Sequence, residues 1–308
     1  MNPRIKHSLL GLAGPLRAWY MVARETRDWT DLSARLRDTL ARISPEIQSS
    51  DESPVFILCA GWRSGSTLLQ RMVMEHNSDL VIWGEPFAHS DIWRGMANQF
   101  RAFTADWPRE DWFLSARTGL DLANVWVANL YPDVARLLDA HRRFYDAVFG
   151  EQSRSFGRKT WGVKEVRLTI DDATYLRVLY PKCKLIFLYR NPRDAYLSYR
   201  KLGAAWYRRW PDKPIATAYS FGRNWAEITH GFIFGYKDVN GLLVRYEDLD
   251  IPAEVKRIEG YLGWPVPRSS EMKSIGKSRL LQIQELSRVQ RVLLNFGVGG
   301  TFKDAGYG

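Results

Sequence analysis

A chain of 308 residues with 45% hydrophobic content can bury the core of one large domain, or of one domain with appendages, and a single large domain is expected. Its formal net charge of +10 fits an acidic partner: nucleic acid, anionic lipid, a phosphorylated cofactor or an anionic sugar polymer would each satisfy it. No Lys/Arg run is dense enough for a nucleic-acid arm, which sets nucleic acid aside, and Cys59 and Cys183, each in or beside an apolar run, read as buried thiols of a reducing cytoplasm.

Residues 1–50 read as a helical extension. After a basic start (Arg4, Lys6, His7), the apolar piece from Leu9 to Leu16 is interrupted by Pro15 and Arg17, well short of the roughly 20 apolar residues of a membrane span. No small-residue cleavage site marks a signal peptide. From Trp29 to Ile43, leucines at 32, 36 and 40 keep one helical face, which packs on the body of the protein or touches a membrane surface. A polar, acidic break at 48–54 leads into the main domain, residues 51–308.

Val55 to Ala60 has the composition of a strand, and Thr67 to His76 that of a helix. Between them, Gly61 and Gly65 let the backbone approach a ligand, so that successive N–H groups and the helix dipole can face one anion. Ser64, Ser66 and Thr67 add hydroxyls, and Arg63 adds a fixed positive charge. This is a phosphate cradle, yet it lacks the lysine that follows the second glycine in nucleoside-triphosphatases. A ligand with one 5′-phosphate carrying a smaller transferable group fits it better.

Val81–Trp83 reads as a second strand ending in Gly84-Glu-Pro-Phe87, which places Glu85 at the sheet edge where α/β proteins bind ligands and makes it a candidate general base. Aromatic and charged residues mix without a clean period from Ser90 to Gly119, as a substrate cover or as the packing of a helical insertion. Val134–Phe149 has amphipathic spacing, with Gly150 suited to its end. Thr160–Val166 is a further strand that carries Lys164 and Glu165, charges that need a partner or ligand if buried. A helix capped by Asp171 or Asp172 runs to Tyr180.

The strand Lys184–Tyr189 closes with Arg190, where a magnesium-dependent NTPase would place an aspartate. Asn191 then caps a helix whose first residue is Pro192. Two helices are expected within residues 199–236. Gly241–Leu249 is a last strand, and Ala253–Leu262 a helix ended by Gly263.

Gly61-Trp-Arg-Ser-Gly-Ser-Thr-Leu-Leu69 resembles the 5′-phosphosulfate loop of sulfotransferases that use 3′-phosphoadenosine 5′-phosphosulfate (PAPS), most nearly the carbohydrate-type and bacterial members. Arg190-Asn-Pro-Arg-Asp through Ser198 resembles the 3′-phosphate site of that family, in which the arginine and the serine bind the phosphate. Lys164 is similar to the lysine that contacts the transferred sulfuryl group, and Glu85 belongs to a Glu-Pro pair like that of family members. The base in relatives can lie slightly further on, here at Ala88 or His89, so His89 and Glu165 stand behind Glu85 as alternatives. An Arg-Lys-Gly segment that touches the 3′-phosphate and adenine in many relatives has no counterpart; Lys277, Arg279 or the run Gly299–Tyr307 could replace it.

The resemblance spans residues 54–262 and implies an α/β, P-loop-like three-layer fold with a central parallel β-sheet flanked by helices. It implies Glu85, Arg63 and Lys164 as catalytic, and Gly61, Arg63, Ser64, Gly65, Ser66, Thr67, Leu68, Arg190 and Ser198 as donor-binding. PAPS would be the donor, adenosine 3′,5′-bisphosphate (PAP) the product and a small molecule or glycan the acceptor, with no metal and no nucleic acid. A cytoplasmic protein is expected, with peripheral membrane contact open to the N-terminal segment. The rival readings are a phosphotransferase or ATPase of the same architecture, and an inactive nucleotide-binding scaffold.

Overall fold

The computed structural model describes residues 50–87, 92–100, 103, 107–114, 127–201, 215–272 and 285–308. In chain order its elements are β1 (Val55–Cys59), α1 (Ser66–Glu75), β2 (Leu80–Trp83), α2 (Ile92–Ala97), α3 (Val134–Tyr145), α4 (Glu151–Ser155), β3 (Thr160–Glu165), α5 (Ile170–Leu179), β4 (Lys184–Tyr189), α6 (Pro192–Lys201), α7 (Ala218–Gly235), β5 (Leu242–Arg245), α8 (Pro252–Leu262), α9 (Arg288–Val298) and α10 (Thr301–Asp304). The chain divides into two compact units, Met1–Pro45 with Met96–Val134, and Glu46–Gly95 with Ala135–Gly308. Within the first, Trp107, Trp112 and Tyr131 meet edge to face. The second carries the sheet.

All strand pairs are parallel, in the order β2-β3-β1-β4-β5. Central β1 is buried along its whole length, as a parallel strand covered on both faces must be, which explains its unbroken apolar run. Phe56 faces an aromatic cluster with Trp93 and Trp161, extended by Tyr145 and Phe149. Elsewhere in the core Phe187 packs on Phe232. From β1 the chain moves outward to β2 and returns through β3; from β4 it moves the other way, to β5. The crevice between the carboxyl ends of β1 and β4 is therefore the topological switch point, where open α/β sheets bind ligands.

Three local expectations are corrected. The cap of α5 is Thr169, whose N–H donates to the Asp172 carboxylate at 2.8 Å; Asp172 is the third residue of the helix, not its cap. Gly150 does not end a helix, because α3 passes through a π-turn at Asp146–Gly150 into α4. A side chain there would meet Asp146 Oδ1 at 2.1 Å and Trp161 Nε1 at 3.2 Å, so the glycine serves close packing. The last strand stops at Arg245, and Tyr246–Asp248 forms a 3-10 turn. The N-terminal helices expected before residue 50 lie outside the described residues. Of the two helices expected at 199–236, α7 is described and 202–214 lies outside them.

Candidate active site

The turn after β1 is built from left-handed backbone. Gly61, Arg63 and Gly65 have φ of 81°, 66° and 92°, and Gly65 caps α1. Ser64 is buried and donates from Oγ to the Gly61 carbonyl at 3.0 Å, which ties the turn across itself. Among the described residues, the N–H groups of Arg63, Ser64, Gly65, Ser66 and Thr67 donate to no protein acceptor. Five such donors around the N-terminus of a ten-residue helix suit an anion. Leu68 differs, because its N–H donates to the Gly65 carbonyl inside the first turn.

Arg63 is the non-glycine residue of the turn held in a left-handed conformation, an arrangement that surrounding contacts must maintain. Its Nε donates to Ser198 Oγ on α6 at 2.9 Å, across 135 residues of sequence. Arg190 reaches back to the same turn, with Nη1 donating to the Arg63 carbonyl at 3.3 Å. The turn, Arg190 and Ser198 are thus in one place. Arg63 lies against Ser198 in this group.

Behind these residues stands a support that sequence reasoning missed. The Arg190 guanidinium lies 4.2 Å over the Tyr246 ring, the same ring that packs against Gly65. Trp225 Nε1–H donates to the Arg190 carbonyl at 2.9 Å. Glu247 accepts the Asn191 N–H at 2.9 Å and the Tyr307 hydroxyl at 2.7 Å. Asn191 caps α6 by accepting the Arg193 N–H. Arg190 Nε, in contrast, is buried with no protein partner among the described residues. The available signal was the run Tyr246-Glu247 directly after β5, at the ligand-binding edge of the sheet.

On the other side of β1, Lys164 is buried near the end of β3, level with Ile57. Its Nζ donates to Glu85 Oε1 at 2.5 Å, from a side chain almost shielded from solvent to one about a quarter exposed. Glu165, the next residue, must point to the opposite face of the strand. It is buried and accepts from Arg167 at 3.0 and 3.2 Å and from the Val166 N–H at 3.2 Å. The partner that a buried Lys164 needs is Glu85, and Glu165 pairs with Arg167 instead. His89, Lys277 and Arg279 lie outside the described residues.

Burial pushes the Glu165 carboxyl up from 4.5 to about 7, against the pull of Arg167 and with some help from the Glu85 charge. Between these values the folded protein holds a proton that the unfolded chain has released. The stabilisation is therefore fully present below pH 4.5 and is lost as pH rises through about 7. Melting temperatures measured from pH 5 to 8 are expected to fall for the wild type relative to Glu165→Gln; parallel curves would contradict this placement of the carboxyl.

A search of curated proteins finds no match. Among solved structures, the chain is similar to the sulfotransferase domain of the Synechococcus PCC 7002 olefin synthase, at 21% identity over 73% of this chain and 79% of that one, TM-score 0.37. It is also similar to mouse sulfotransferase SULT7A1 complexed with PAP (16% identity, 86% and 82% covered, TM-score 0.36) and to sulfotransferase STF9 from Mycobacterium avium (12% identity, 80% and 74% covered, TM-score 0.31). The sulfotransferase family profile matches residues 54–268, a span that includes the turn at 61–67, Glu85, Lys164, Arg190 and Ser198, and the chain therefore belongs to the sulfotransferase family.

Proposed function

We propose that the enzyme transfers the sulfuryl group of PAPS to a hydroxyl or amine of a small-molecule or glycan acceptor and releases PAP. The observation that carries this reading is the meeting of the 61–67 turn, Arg190 and Ser198 at the β1–β4 crevice, with Lys164 and Glu85 on the other flank of β1. Because β3 and β4 both neighbour β1 and Lys164 is level with Ile186 through Ile57, the backbones of Lys164 and Arg190 stand two strand spacings apart across the sheet and four residues apart along it, about 16 Å, and their side chains face the ligand from its two ends.

On this reading the free amides of the turn, with Ser66 and Thr67, hold the 5′-phosphate. Arg190, Ser198 and Arg63 hold the 3′-phosphate, so Arg63 serves binding. Lys164 faces the sulfuryl group: its ammonium has three donors, and the one given to Glu85 leaves two for sulfuryl and bridging oxygens. The acceptor oxygen or nitrogen attacks sulfur, the bond from sulfur to the bridging phosphate oxygen breaks, and the acceptor proton passes to Glu85. PAP departs with the bridging electrons. The chemistry needs position and charge neutralisation above all.

A phosphotransferase or ATPase would bind ATP with magnesium, and both residues it requires, a lysine after Gly65 and an aspartate closing β4, are replaced, by Ser66 and Arg190. Calorimetric titration separates the two readings. PAP is expected to bind at least about 100-fold more tightly than ATP with magnesium; equal or reversed affinities would reject the donor. Acceptors are then screened with labelled PAPS.

A further inference from the structure

Helix α9 is amphipathic in the wrong direction for a helix of the core. It meets the body through Leu294, Gly297 and Val298, and its partner is α7. The crossing is close: a side-chain carbon at Gly297 would stand 2.4 Å from the Tyr219 carbonyl, and one at Gly222 would stand 2.7 Å from that of Leu294. The larger apolar residues face out. Val289, Val292, Leu293 and Phe296 are 67%, 67%, 41% and 77% exposed, at the i, i+3, i+4, i+7 spacing of one helical face. Tyr219 of α7, its ring centroid 6.0 Å from that of Phe296, extends the patch. Contiguous exposure of this kind marks an interaction site.

Charge identifies the occupant. Arg288, Arg291 and Asn295 form the adjoining strip of α9, and Arg193 adds a third guanidinium there by donating to Asn295 Oδ1. The helix carries no acidic residue, and the whole chain has a net charge of +10. A second copy laid on this face by a two-fold axis would bring arginines against arginines with no carboxylate of α9 to answer them. An anionic lipid surface answers both features, because valine, leucine and phenylalanine enter the headgroup boundary while flanking arginines meet lipid phosphates.

We propose that the outer face of α9 docks the enzyme on anionic membranes, the helix lying in the interface plane. None of the described helices is long and apolar enough to cross a bilayer. The proposal does not depend on the identity of the donor.

The test is sedimentation of the full chain with phosphatidylcholine vesicles, neutral or containing about 30% phosphatidylglycerol. Binding to the anionic vesicles alone, weakened by salt, is expected. Val292→Ser with Phe296→Ser, and separately Arg288→Gln with Arg291→Gln, are each expected to lower the partition coefficient about tenfold or more at unchanged melting temperature. Failure to sediment with anionic vesicles, or variants that bind like the wild type, would overturn the proposal. A lower melting temperature in the serine variant would assign the face to internal packing. A wild-type dimer that the same variant converts to monomer in sedimentation velocity would assign it to a second copy.

Discussion

Glu85→Gln is expected to lower kcat by about 10²–10⁴-fold while the affinity for PAP is unchanged. Glutamine keeps the length of the side chain and can still accept the Lys164 hydrogen bond, so the pair retains its geometry and loses the ability to take a proton. Lys164→Met is expected to cost about 10²–10³-fold in kcat, because a cation poised on the developing charge is removed while a flexible side chain fills the volume. The two residues touch, so their effects should not add: the double variant is expected to be little worse than the more damaging single one. Single-turnover rates with labelled donor, alongside PAP titrations, measure both. Full turnover in Glu85→Gln would move the base elsewhere, with Glu165 and His89 next to be tested. Glu165 is poorly placed for the task, since Arg167 and a backbone N–H already occupy its buried carboxylate. A wild type that binds PAP and transfers nothing to any acceptor would instead favour the scaffold reading.

Why some of this was legible in the sequence, and some was not, follows from the range of the interactions. β1 and β4 are buried on both faces of a parallel sheet, so each reads as an apolar run, and their ends are punctuated by the residues proposed to bind the donor. The turn at 61–67 and the Asn191-Pro192 helix start are set by nearest-neighbour backbone chemistry, which a sequence displays directly. The pairing of Lys164 with Glu85 spans 79 residues and depends on which strand lies beside which, a fact that no local pattern contains. The same holds for Tyr246, whose place under Arg190 and against Gly65 appears only once β5 is set beside β4. Gly150 misled because a glycine that ends a helix and one that admits a neighbour look alike in sequence; the Asp146 and Trp161 side chains decide.

Gly65→Ala is expected to abolish the donor site, with PAP affinity falling by at least about 100-fold, or about 2.7 kcal/mol. Two independent causes combine. The backbone at φ 92° is one that a residue with a Cβ rarely adopts. The added carbon would also lie 2.0 Å from Tyr246 Cδ2 and 2.3 Å from Cε2, so the ring must move or the turn must open. Either movement reaches the ligand: opening the turn scatters the amides of residues 63–67, and shifting the ring withdraws the surface on which Arg190 rests. Tyr246→Ala separates these routes. Alone, it should weaken PAP about tenfold by removing the cation–π contact. Combined with Gly65→Ala, it should relieve the collision, recover part of the melting temperature and leave the affinity low, because the backbone conformation is still unfavourable. Gly260→Ala in α8 is the control, with nothing within 4 Å of its added carbon and an expected gain of up to about 1 kcal/mol in helix stability. PAP binding by Gly65→Ala at wild-type strength would show that the turn does not hold the nucleotide, and the assignment of residues 61–67 would fall with it.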